Sequence, residues 1–339
     1  MRWVVATLVA ALAAAVTVVA PGAFGLAGTA GWAQLVTLRG LVGVAAGVVG
    51  LVGVLGVGVV GALRSRRTGQ RPWRSPGLLL VAGLGVLGLA VAAAQTGILT
   101  ARGTGTDPLP DAGRSDGQLT VVVANTLVGA AEPGPLAELV ARVGADVVSL
   151  PETDPAAGAR IAAAIASRGI AVHAFTAPAV GPVSATTLLV ADRLGPHLVV
   201  TGPDGGPGAV AVRPVSGDGP LIAAVHPFPP FGIAATATWR HRSRQAVDVC
   251  RSVPDAVVAG DLNATPDHPA LQHLAPCVDA AAERGAAAAG TWPQSLRPSL
   301  AAPLDHVLVT GARWAVVAFS TAALPGSDHR AVVVRLARR

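Results

Sequence analysis

The first 103 residues of the chain contain no aspartate or glutamate, although the complete sequence of 339 residues has 19 acidic residues. The first of these is Asp107, whereas residues 1–103 contain eight arginines. Lysine and tyrosine are absent from the whole chain, only 13% of its residues are charged, and 52% are hydrophobic. Soluble domains carry roughly 25% charged residues. The composition therefore excludes one ordinary soluble domain, and the apolar excess lies at the amino end.

Three uncharged segments in this first part are each long enough to cross a bilayer. They lie near residues 3–20, 40–63 and 77–99. They predict a transmembrane region over residues 1–103. Gly43 and Gly47 are small residues four positions apart, which predicts close packing of the second span against another helix.

The distribution of arginine predicts the orientation of these spans. Residues 64–74 separate the second and third spans and contain five arginines, which the positive-inside rule places in the cytoplasm. The prediction is a multi-pass protein of the cell membrane with its amino terminus inside and all residues after the third span extracellular. Arg39 and Arg102, at the outer ends of the spans, depart from this rule. The first span could instead be a cleaved signal peptide, because it is short, rich in alanine and preceded by Arg2.

The two parts of the chain differ in net charge. The full sequence has a charge of +6 and an isoelectric point near 11.1, values that by themselves indicate a nucleic-acid or anionic-lipid partner. Residues 104–339 contain 17 arginines and 19 acidic residues, a net charge of −2. The outer part therefore shows no strongly basic groove for nucleic acid, although Arg240, Arg242 and Arg244 could form a local basic patch.

Cysteine is scarce, and no Cys-x-x-Cys motif indicates a zinc site. Cys250 and Cys277 are the only two cysteines, and both follow the predicted spans. An extracellular location would permit a disulfide between them. Two buried free thiols are an equally good interpretation of the sequence.

Polar residues in the second part of the chain stand where short apolar runs end or begin. The series is Asn125, Glu152, His226, Asp261, Asn263, Asp305 and the triplet Ser327-Asp328-His329. The runs are rich in valine and alternate with helical stretches over residues 136–143, 156–167 and 236–252, which predicts an α/β or α+β fold. Carboxylates, amides and imidazoles at strand ends suit a metal-assisted phosphoester hydrolase, because oxygen ligands hold Mg²⁺ while His and Asp handle protons.

These motifs resemble the endonuclease/exonuclease/phosphatase superfamily, which includes deoxyribonuclease-I-like nucleases, sphingomyelinases and inositol polyphosphate phosphatases. The match covers residues 118–336 and rests on six motifs in the order of the family. They are Ala124-Asn125, Leu150-Pro151-Glu152, Val225-His226-Pro227, Gly260-Asp261-Leu262-Asn263, Leu304-Asp305-His306 and Ser327-Asp328-His329. The resemblance implies an α+β fold, a two-sheet sandwich with helices on both outer faces, and a site where strand ends of both sheets converge. The predicted domains are residues 1–103, a linker over 104–117 and a catalytic domain over 118–339.

The resemblance also implies roles for single residues. Glu152 would be the ligand of Mg²⁺, or of Mn²⁺ in its place, and an unpaired carboxylate after an apolar run would itself favour a cation partner. Asn125 and Asp328 would complete the metal site. Asp261 and Asn263 would position the attacking water and the phosphate oxygens.

Three further residues would act on the substrate. His329 would activate the water or contact the scissile phosphate, with Asp305 holding its imidazole in one tautomer. His226 would donate a hydrogen bond to a phosphate oxygen and stabilise developing charge. The remaining histidines are interpreted differently, with His306 as structural and His268 as a surface or helix-face residue.

The expected function is that of a membrane-anchored, outward-facing, Mg²⁺-dependent phosphoesterase. Nucleic acids, nucleotides and lipid head groups are all candidate substrates, and the predicted partners are a phosphate ester and the lipid bilayer. No obligate protein partner is inferred. The domain is compact, without the long loops that many nucleases and inositol phosphatases use to select substrate. Residues 173–213 are apolar and short of the additional aromatic or basic residues that would indicate stacking of nucleic-acid bases. The alternative function is a catalytically silent protein that binds a ligand or partner at the membrane.

Overall fold

The computed structural model describes residues 1–68, 75–113, 115–177, 185–200 and 208–339. Its amino-terminal part is helical. The helices are α1 (Arg2–Val19), α2 (Trp32–Thr37), α3 (Arg39–Thr68) and α4 (Pro76–Arg102), with one 3-10 turn at Pro21–Phe24. Among the described residues, α1, α3 and α4 are the three helices long and apolar enough to cross a membrane. Of the predicted loop 64–74, the first residues belong to the end of α3, and residues 69–74 lie outside the described residues.

Helix α4 packs against both α1 and α3. Two glycines of α3, Gly43 and Gly47, allow α4 to approach closely, as their spacing in the sequence predicts. A Cβ atom added to Gly43 would lie 3.1 Å from Gln95 of α4, and one added to Gly47 would lie 3.3 Å from Ala92. The three long helices therefore form one bundle whose outer surface is apolar and exposed.

The rest of the described chain forms two mixed sheets. The first contains β1 (Gln118–Val123), β2 (Val147–Pro151), β3 (Val172–Thr176), β4 (Thr186–Ala191), β11 (Trp314–Ala322) and β12 (Ala331–Arg338), in the order β11-β12-β1-β2-β4-β3. The second contains β5 (His197–Val199), β6 (Val210–Pro214), β7 (Leu221–Val225), β8 (Ala256–Asp261), β9 (Cys277–Asp279) and β10 (Asp305–Thr310), in the order β5-β6-β7-β8-β10-β9. Each sheet has one parallel pair, β1 with β2 and β7 with β8.

The alternation of side chains along the strands produces four layers. Val121 of β1 and Val257 of β8 point between the sheets and join one buried core. Val122, on the other face of β1, packs with the helices α5 (Pro133–Val143) and α6 (Pro155–Ala166). Val258 packs with α7 (Gly232–Ser252) on the outer face of the second sheet. The predicted two-sheet sandwich flanked by helices is confirmed.

The ends of the helices follow from local sequence. The side chain of Asp154 caps α6 by accepting a hydrogen bond from the Ala157 amide at 2.7 Å, and Pro155 occupies the first helical position. Helix α5 ends at Gly144, whose φ of 60° lies in the left-handed region that glycine adopts without a steric penalty. These signals fix where the chain turns back toward the sheets.

The two cysteines are joined. A disulfide links Cys250, near the end of α7, to Cys277, at the start of β9. The free-thiol interpretation is therefore wrong. The bond ties the outer helix to the edge strand of its sheet and restricts the unfolded chain over a separation of 27 residues.

An aspartate of the two-sheet part pairs with two arginines at the ends of the long helices. The Asp267 carboxylate accepts hydrogen bonds from Arg39 at 3.0 and 2.7 Å and from Arg102 at 2.7 and 2.8 Å. Burial by itself would raise the pKa of Asp267, but the hydrogen bonds from Arg102 and Arg39 outweigh it and lower the pKa. One carboxylate thus bridges the two arginines that depart from the positive-inside rule and offsets one of their two positive charges.

A second contact at this junction corrects the interpretation of His268 as a surface residue. His268 is fully buried, because Trp239 packs edge-on against its ring at 4.8 Å and α2 covers it. Burial lowers the pKa of His268 to about 4, so the ring is neutral at pH 7. Its Nδ1 accepts from the Thr265 amide at 2.7 Å, which leaves the proton on Nε2 to donate to the Ala33 carbonyl at 3.1 Å.

Candidate active site

The polar residues of the series meet at one edge of the sandwich. Parallel strands end at the same edge of a sheet, so Asn125 after β1 lies beside Glu152 after β2. In the second sheet, His226 follows β7 and Asp261 ends β8, and the antiparallel register places Asp305 of β10 opposite Asp261. The topology therefore brings residues from five separate strands to one place.

Asn125 connects the two sheets. Its Nδ2 donates to Glu152 Oε1 of the first sheet and to Asp261 Oδ2 of the second, each at 3.1 Å. Its Oδ1 accepts from the Leu127 amide at 2.9 Å. Asn125 is 1% exposed, so this amide holds two carboxylates next to each other in a site shielded from water.

Two of the site residues have a positive φ angle, a backbone conformation that residues other than glycine rarely adopt. The φ angle is 56° at Glu152 and 48° at Asn263. Asn tolerates this region, but Glu does so at a cost of roughly 1–3 kcal/mol. Contacts hold Glu152 in place, since Thr126 Oγ1 donates to its carbonyl at 2.8 Å and the Val128 amide donates to Oε2 at 3.2 Å. Such strain concentrates where a side chain must point in one direction.

Asn263 and His226 lie together on the other side of the site. The backbone N–H of Asn263 donates to Asp261 Oδ1 at 2.7 Å. The side-chain Nδ2 of Asn263 donates to the Pro227 carbonyl at 3.1 Å and lies 3.4 Å from His226 Nε2. The same His226 nitrogen is 3.8 Å from Glu152 Oε1 and from Asp261 Oδ2. The imidazole therefore faces the buried carboxylate of Asp261 and the partly buried carboxylate of Glu152.

His329 and Asp305 form a buried pair. His329 Nδ1 lies 2.8 Å from Asp305 Oδ2, and His329 Nε2 points toward Asp261 Oδ2 at 3.7 Å and Asp328 Oδ1 at 4.0 Å. Ser327 fixes the backbone here, because its hydroxyl donates to the Asn125 carbonyl at 2.7 Å and accepts from the His329 amide at 3.0 Å. The structure thus brings all eight predicted site residues together.

The carboxylates give the site an excess of negative charge. Burial raises the pKa of Asp261, and the charge of Asp305 raises it further. Burial would lower the pKa of His329, but the charges of Asp305 and Asp261 and the hydrogen bond that His329 donates to Asp305 raise it to about 10. Positive charge in this site is therefore stabilised and negative charge is penalised, which favours the binding of a cation.

Two tryptophans support the site, and sequence reasoning assigned neither a role. Trp292 Nε1 donates to Asp328 Oδ2 at 2.8 Å, and its ring lies 6.5 Å from that of His329. Trp239 of α7 is buried and donates to the Leu262 carbonyl at 3.1 Å, which holds the turn between Asp261 and Asn263. Trp292 belongs to the Thr-Trp-Pro segment ahead of β10, and that position is the signal that could have found it.

His306 does not enter the site. Its Nδ1 is 2.9 Å from Asp279 Oδ2, and its Nε2 is 2.9 Å from the Ala264 carbonyl. Burial would lower the pKa of His306, but the charge of Asp279 and the hydrogen bond to it raise the pKa to about 9. The structural interpretation of His306 agrees with these contacts, since the buried pair holds the chain that follows Asn263.

A cavity of about 380 Å³ opens over these residues. Asp261, Asn263, Glu152, Asp328 and His329 are in its wall, together with Trp292 and Leu304. Helix α2 and the residue after it form another part of the wall through Gln34, Thr37 and Leu38. No feature of residues 32–38 in the sequence indicated this position.

The residues present fit a divalent metal ion. Asp261, Asp305 and His329 each offer a ligand atom within 4.8 Å of one another. Asp305 and His329 are hydrogen-bonded to each other, however, so the carboxylates that face the cavity, Glu152 and Asp328, are the better candidates for ligands. Asp305 Oδ1 lacks a hydrogen-bond partner within the described part of the chain. Carboxylate oxygens that face a cavity, as those of Glu152 and Asp328 do, are what a hard cation binds.

A family model for the Endonuclease/Exonuclease/phosphatase family matches residues 122–329. The chain belongs to this family. Members are metal-dependent nucleases and phosphatases, and the chain is accordingly a metal-dependent hydrolase acting on ester bonds. The family resemblance predicted from the six motifs is confirmed. No curated protein is significantly similar to the chain in sequence.

The chain shares little sequence with the solved structures that resemble it. A humanized TDP2 from D. rerio is 16% identical, with a TM-score of 0.50 over 65% of this chain and 99% of that one. An endonuclease/exonuclease/phosphatase from Beutenbergia cavernae is 20% identical, with a TM-score of 0.47 over 65% and 72% of the two chains. The catalytic domain of human Nocturnin is 15% identical, with a TM-score of 0.48 over 66% and 94%. At 16% identity, the likeness to TDP2 shows a shared fold alone.

Proposed function

We propose that the chain is a Mg²⁺-dependent phosphoesterase fixed to the membrane by its three long helices, with the catalytic domain outside the cell. The observation that carries this proposal is the single cluster of eight polar residues at the edge of the sandwich. Each type of group that the reaction requires is present in it. A catalytically silent protein would not need to keep all of them in contact.

Glu152, with Asn125 and Asp328, would hold the metal. The Glu152 and Asp328 carboxylates face the cavity, and Asn125 fixes the direction of Glu152 through the hydrogen bond to Oε1. A bound divalent cation supplies Lewis-acid polarisation of a phosphoryl oxygen. Mg²⁺ is favoured because every one of these ligands offers oxygen, and Mn²⁺ accepts the same set.

The remaining residues orient the phosphate and move a proton. Asp305 accepts from Nδ1 of His329, so Nε2 is the His329 atom that can take or give a proton at the substrate. Asp261 and Asn263 position the attacking water and the phosphate oxygens. His226 donates to a phosphate oxygen where negative charge develops. Asp305 is not in the wall of the cavity and acts through His329.

Hydrolysis by the purified full-length protein tests this proposal. With Mg²⁺, a soluble phosphodiester such as bis(p-nitrophenyl) phosphate should be cleaved, and excess chelator should abolish the activity, because the metal supplies several kcal/mol of stabilisation to the transition state. Adding Mg²⁺ back should restore the rate. Undiminished hydrolysis in excess chelator would rule out the metal mechanism.

The proposed orientation rests on the five arginines of residues 64–74. Arg66 and Arg67 lie in the last turn of α3, and the described chain carries no acidic residue before Asp107. Positive charge of this kind stays on the cytoplasmic side. Since α4 follows that side and ends at Arg102, the domain after it would lie outside.

Reporter fusions test the orientation directly. An alkaline phosphatase fused after Arg339 should be active, because this reporter works only outside the cytoplasm, and one fused near Gly69 should be inactive. A fluorescent reporter that requires the cytoplasm should show the reverse pattern at the same two positions. An active phosphatase at Gly69 would overturn the outward-facing arrangement.

A further inference from the structure

One wall of the active-site cavity comes from the membrane-associated part of the chain. Gln34, Thr37 and Leu38 line the cavity together with Glu152 and His329. Gln34 Nε2 also donates a hydrogen bond to the Pro230 carbonyl, and the loop 229–231 lines the same cavity. The catalytic residues therefore open toward α2, and substrate enters past the segment that joins the first two long helices.

The cavity lies at the level where the long helices end. Arg39, the first residue of α3, donates to the carbonyl of Val19 at the end of α1 and to the Gln95 side chain in the last turns of α4. All three helix ends are thus side by side. Leu38, directly before Arg39, is already in the wall of the cavity. In a bilayer that contains the three helices, this level is the boundary between hydrocarbon and head groups.

Large apolar side chains surround this entrance and are exposed. Phe231 is 73% exposed, Ile233 is 85% exposed and Phe228 is 47% exposed. They flank Pro230, which contacts α2. Exposed aromatic and aliphatic residues grouped beside helix ends are typical of a surface that enters the interfacial region of a membrane.

The charge of the cavity wall opposes a polyanion. Glu152, Asp261 and Asp328 are acidic, and the described residues that line the cavity include no arginine. The sequence contains no lysine that could take its place. Proteins that bind a nucleic-acid backbone neutralise several phosphates with basic side chains. This wall suits one phosphate at the metal site with an apolar remainder.

A groove for that apolar remainder begins close to the cavity. Gly40, two residues after Leu38, lines a groove of about 610 Å³ between α3 and α4, together with Gly43, Gly47 and Leu99. Val44, Val48 and Leu51 of α3 line the same groove, so its wall is largely apolar. A hydrocarbon chain in this groove would lie among the long helices while its head group reached the level of Leu38.

We propose that the substrate is a phosphate ester of a membrane lipid, which the protein hydrolyses while the lipid remains in the bilayer. This inference rests on the proposed phosphoesterase function. Water attacks phosphorus, one P–O ester bond breaks, and the leaving oxygen takes a proton, so lipid and head group separate as an alcohol and a phosphate. The cavity opens toward the level of the bilayer surface. A lipid therefore gains binding energy from its place in the bilayer, and a soluble ester does not.

Matched pairs of substrates test this inference with the full-length protein in phosphatidylcholine bilayer discs, which are open from both sides. Phosphatidylglycerol is compared with glycerophosphoglycerol, and phosphatidic acid with glycerol phosphate, since each pair shares one head group. We expect at least one lipid to be cleaved with a kcat/KM about tenfold or more above that of its deacylated partner, because anchoring in the bilayer supplies binding energy. A single-stranded DNA oligonucleotide and bis(p-nitrophenyl) phosphate complete the panel.

The outcomes separate the two proposals. Cleavage of bis(p-nitrophenyl) phosphate with no preference for either lipid, or a preference for DNA, overturns the lipid substrate and leaves the phosphoesterase function intact. Cleavage of no probe in the presence of Mg²⁺ overturns the phosphoesterase function, and the lipid substrate with it.

A variant of the apolar entrance gives a second test. Ile233→Ser should lower the kcat/KM for the bilayer lipid by roughly tenfold, the effect of withdrawing one large apolar side chain from an apolar phase. Its turnover of bis(p-nitrophenyl) phosphate should not change, because Ile233 does not line the cavity. Val215→Ser is the matched control, since Val215 is 53% exposed and follows β6 at the opposite end of the sandwich. Equal effects of the two substitutions on lipid cleavage would overturn the inference.

Discussion

Replacement of Glu152 by glutamine is expected to lower hydrolysis of every substrate by roughly a thousandfold, since the Lewis-acid contribution of a bound metal is several kcal/mol. The amide keeps the shape of the carboxylate and can still accept the hydrogen bond from Asn125 at Oε1. It removes the negative charge that a hard cation requires. The loss should therefore appear in turnover and in metal affinity, with little change in folding.

Three measurements check this expectation. Steady-state hydrolysis over a range of Mg²⁺ concentrations gives the activity and the apparent metal affinity, and thermal unfolding verifies that the variant folds. Glu138→Gln is a matched control, because Glu138 is an exposed residue on α5 far from the cavity wall. Full activity of Glu152→Gln at the Mg²⁺ concentration that saturates the unmodified protein would remove Glu152 from the metal site.

The second large effect concerns His329 and Asp305. Each alanine substitution should reduce turnover by about 10²- to 10⁴-fold, the usual contribution of a positioned acid or base. The double variant should be little worse than the poorer single variant, because residues that act as one unit are not additive. The physical reason is the contact of 2.8 Å between them, which lets Asp305 act only through the ring of His329.

Turnover of both single variants and the double variant decides the matter, with thermal unfolding measured on all three. If the losses multiply in the double variant, the two residues act independently, and the proposal that Asp305 acts through His329 is wrong. Modest effects confined to stability would indicate that Asp305 only begins β10 and that His329 only occupies a turn.

Much of the site could be predicted because its signals are local. Each of Asn125, Glu152, His226 and Asp261 stands within two residues of the end of an apolar strand, so the position of the strand gives the position of the side chain. Sequence order alone does not place two sheets face to face. That step came from the family resemblance, and the fold confirms it.

The junction between the two parts could not be predicted, because its partners are far apart in the sequence. His268 was interpreted as a surface residue, yet its partner is the carbonyl of Ala33, a backbone atom 235 residues away that no side-chain pattern reveals. Arg39 appeared only as a departure from the positive-inside rule, and its partner Asp267 is 228 residues later. Long-range contacts of this kind depend on how finished domains pack, which local periodicity does not encode.

The contact of Arg39 and Arg102 with Asp267 has a consequence for the biogenesis of the protein. During synthesis, both arginines leave the ribosome well before Asp267, which follows Arg102 by 165 residues. In the proposed topology, their charges are therefore still uncompensated when the helices enter the membrane, and the arginines between α3 and α4 must determine the direction of insertion against them. Asp267 bridges the two arginines and offsets one of their two charges only after the domain has been translocated and has folded. Maturation of the domain outside the cell would then lock in place an arrangement of helices that was set before the domain existed.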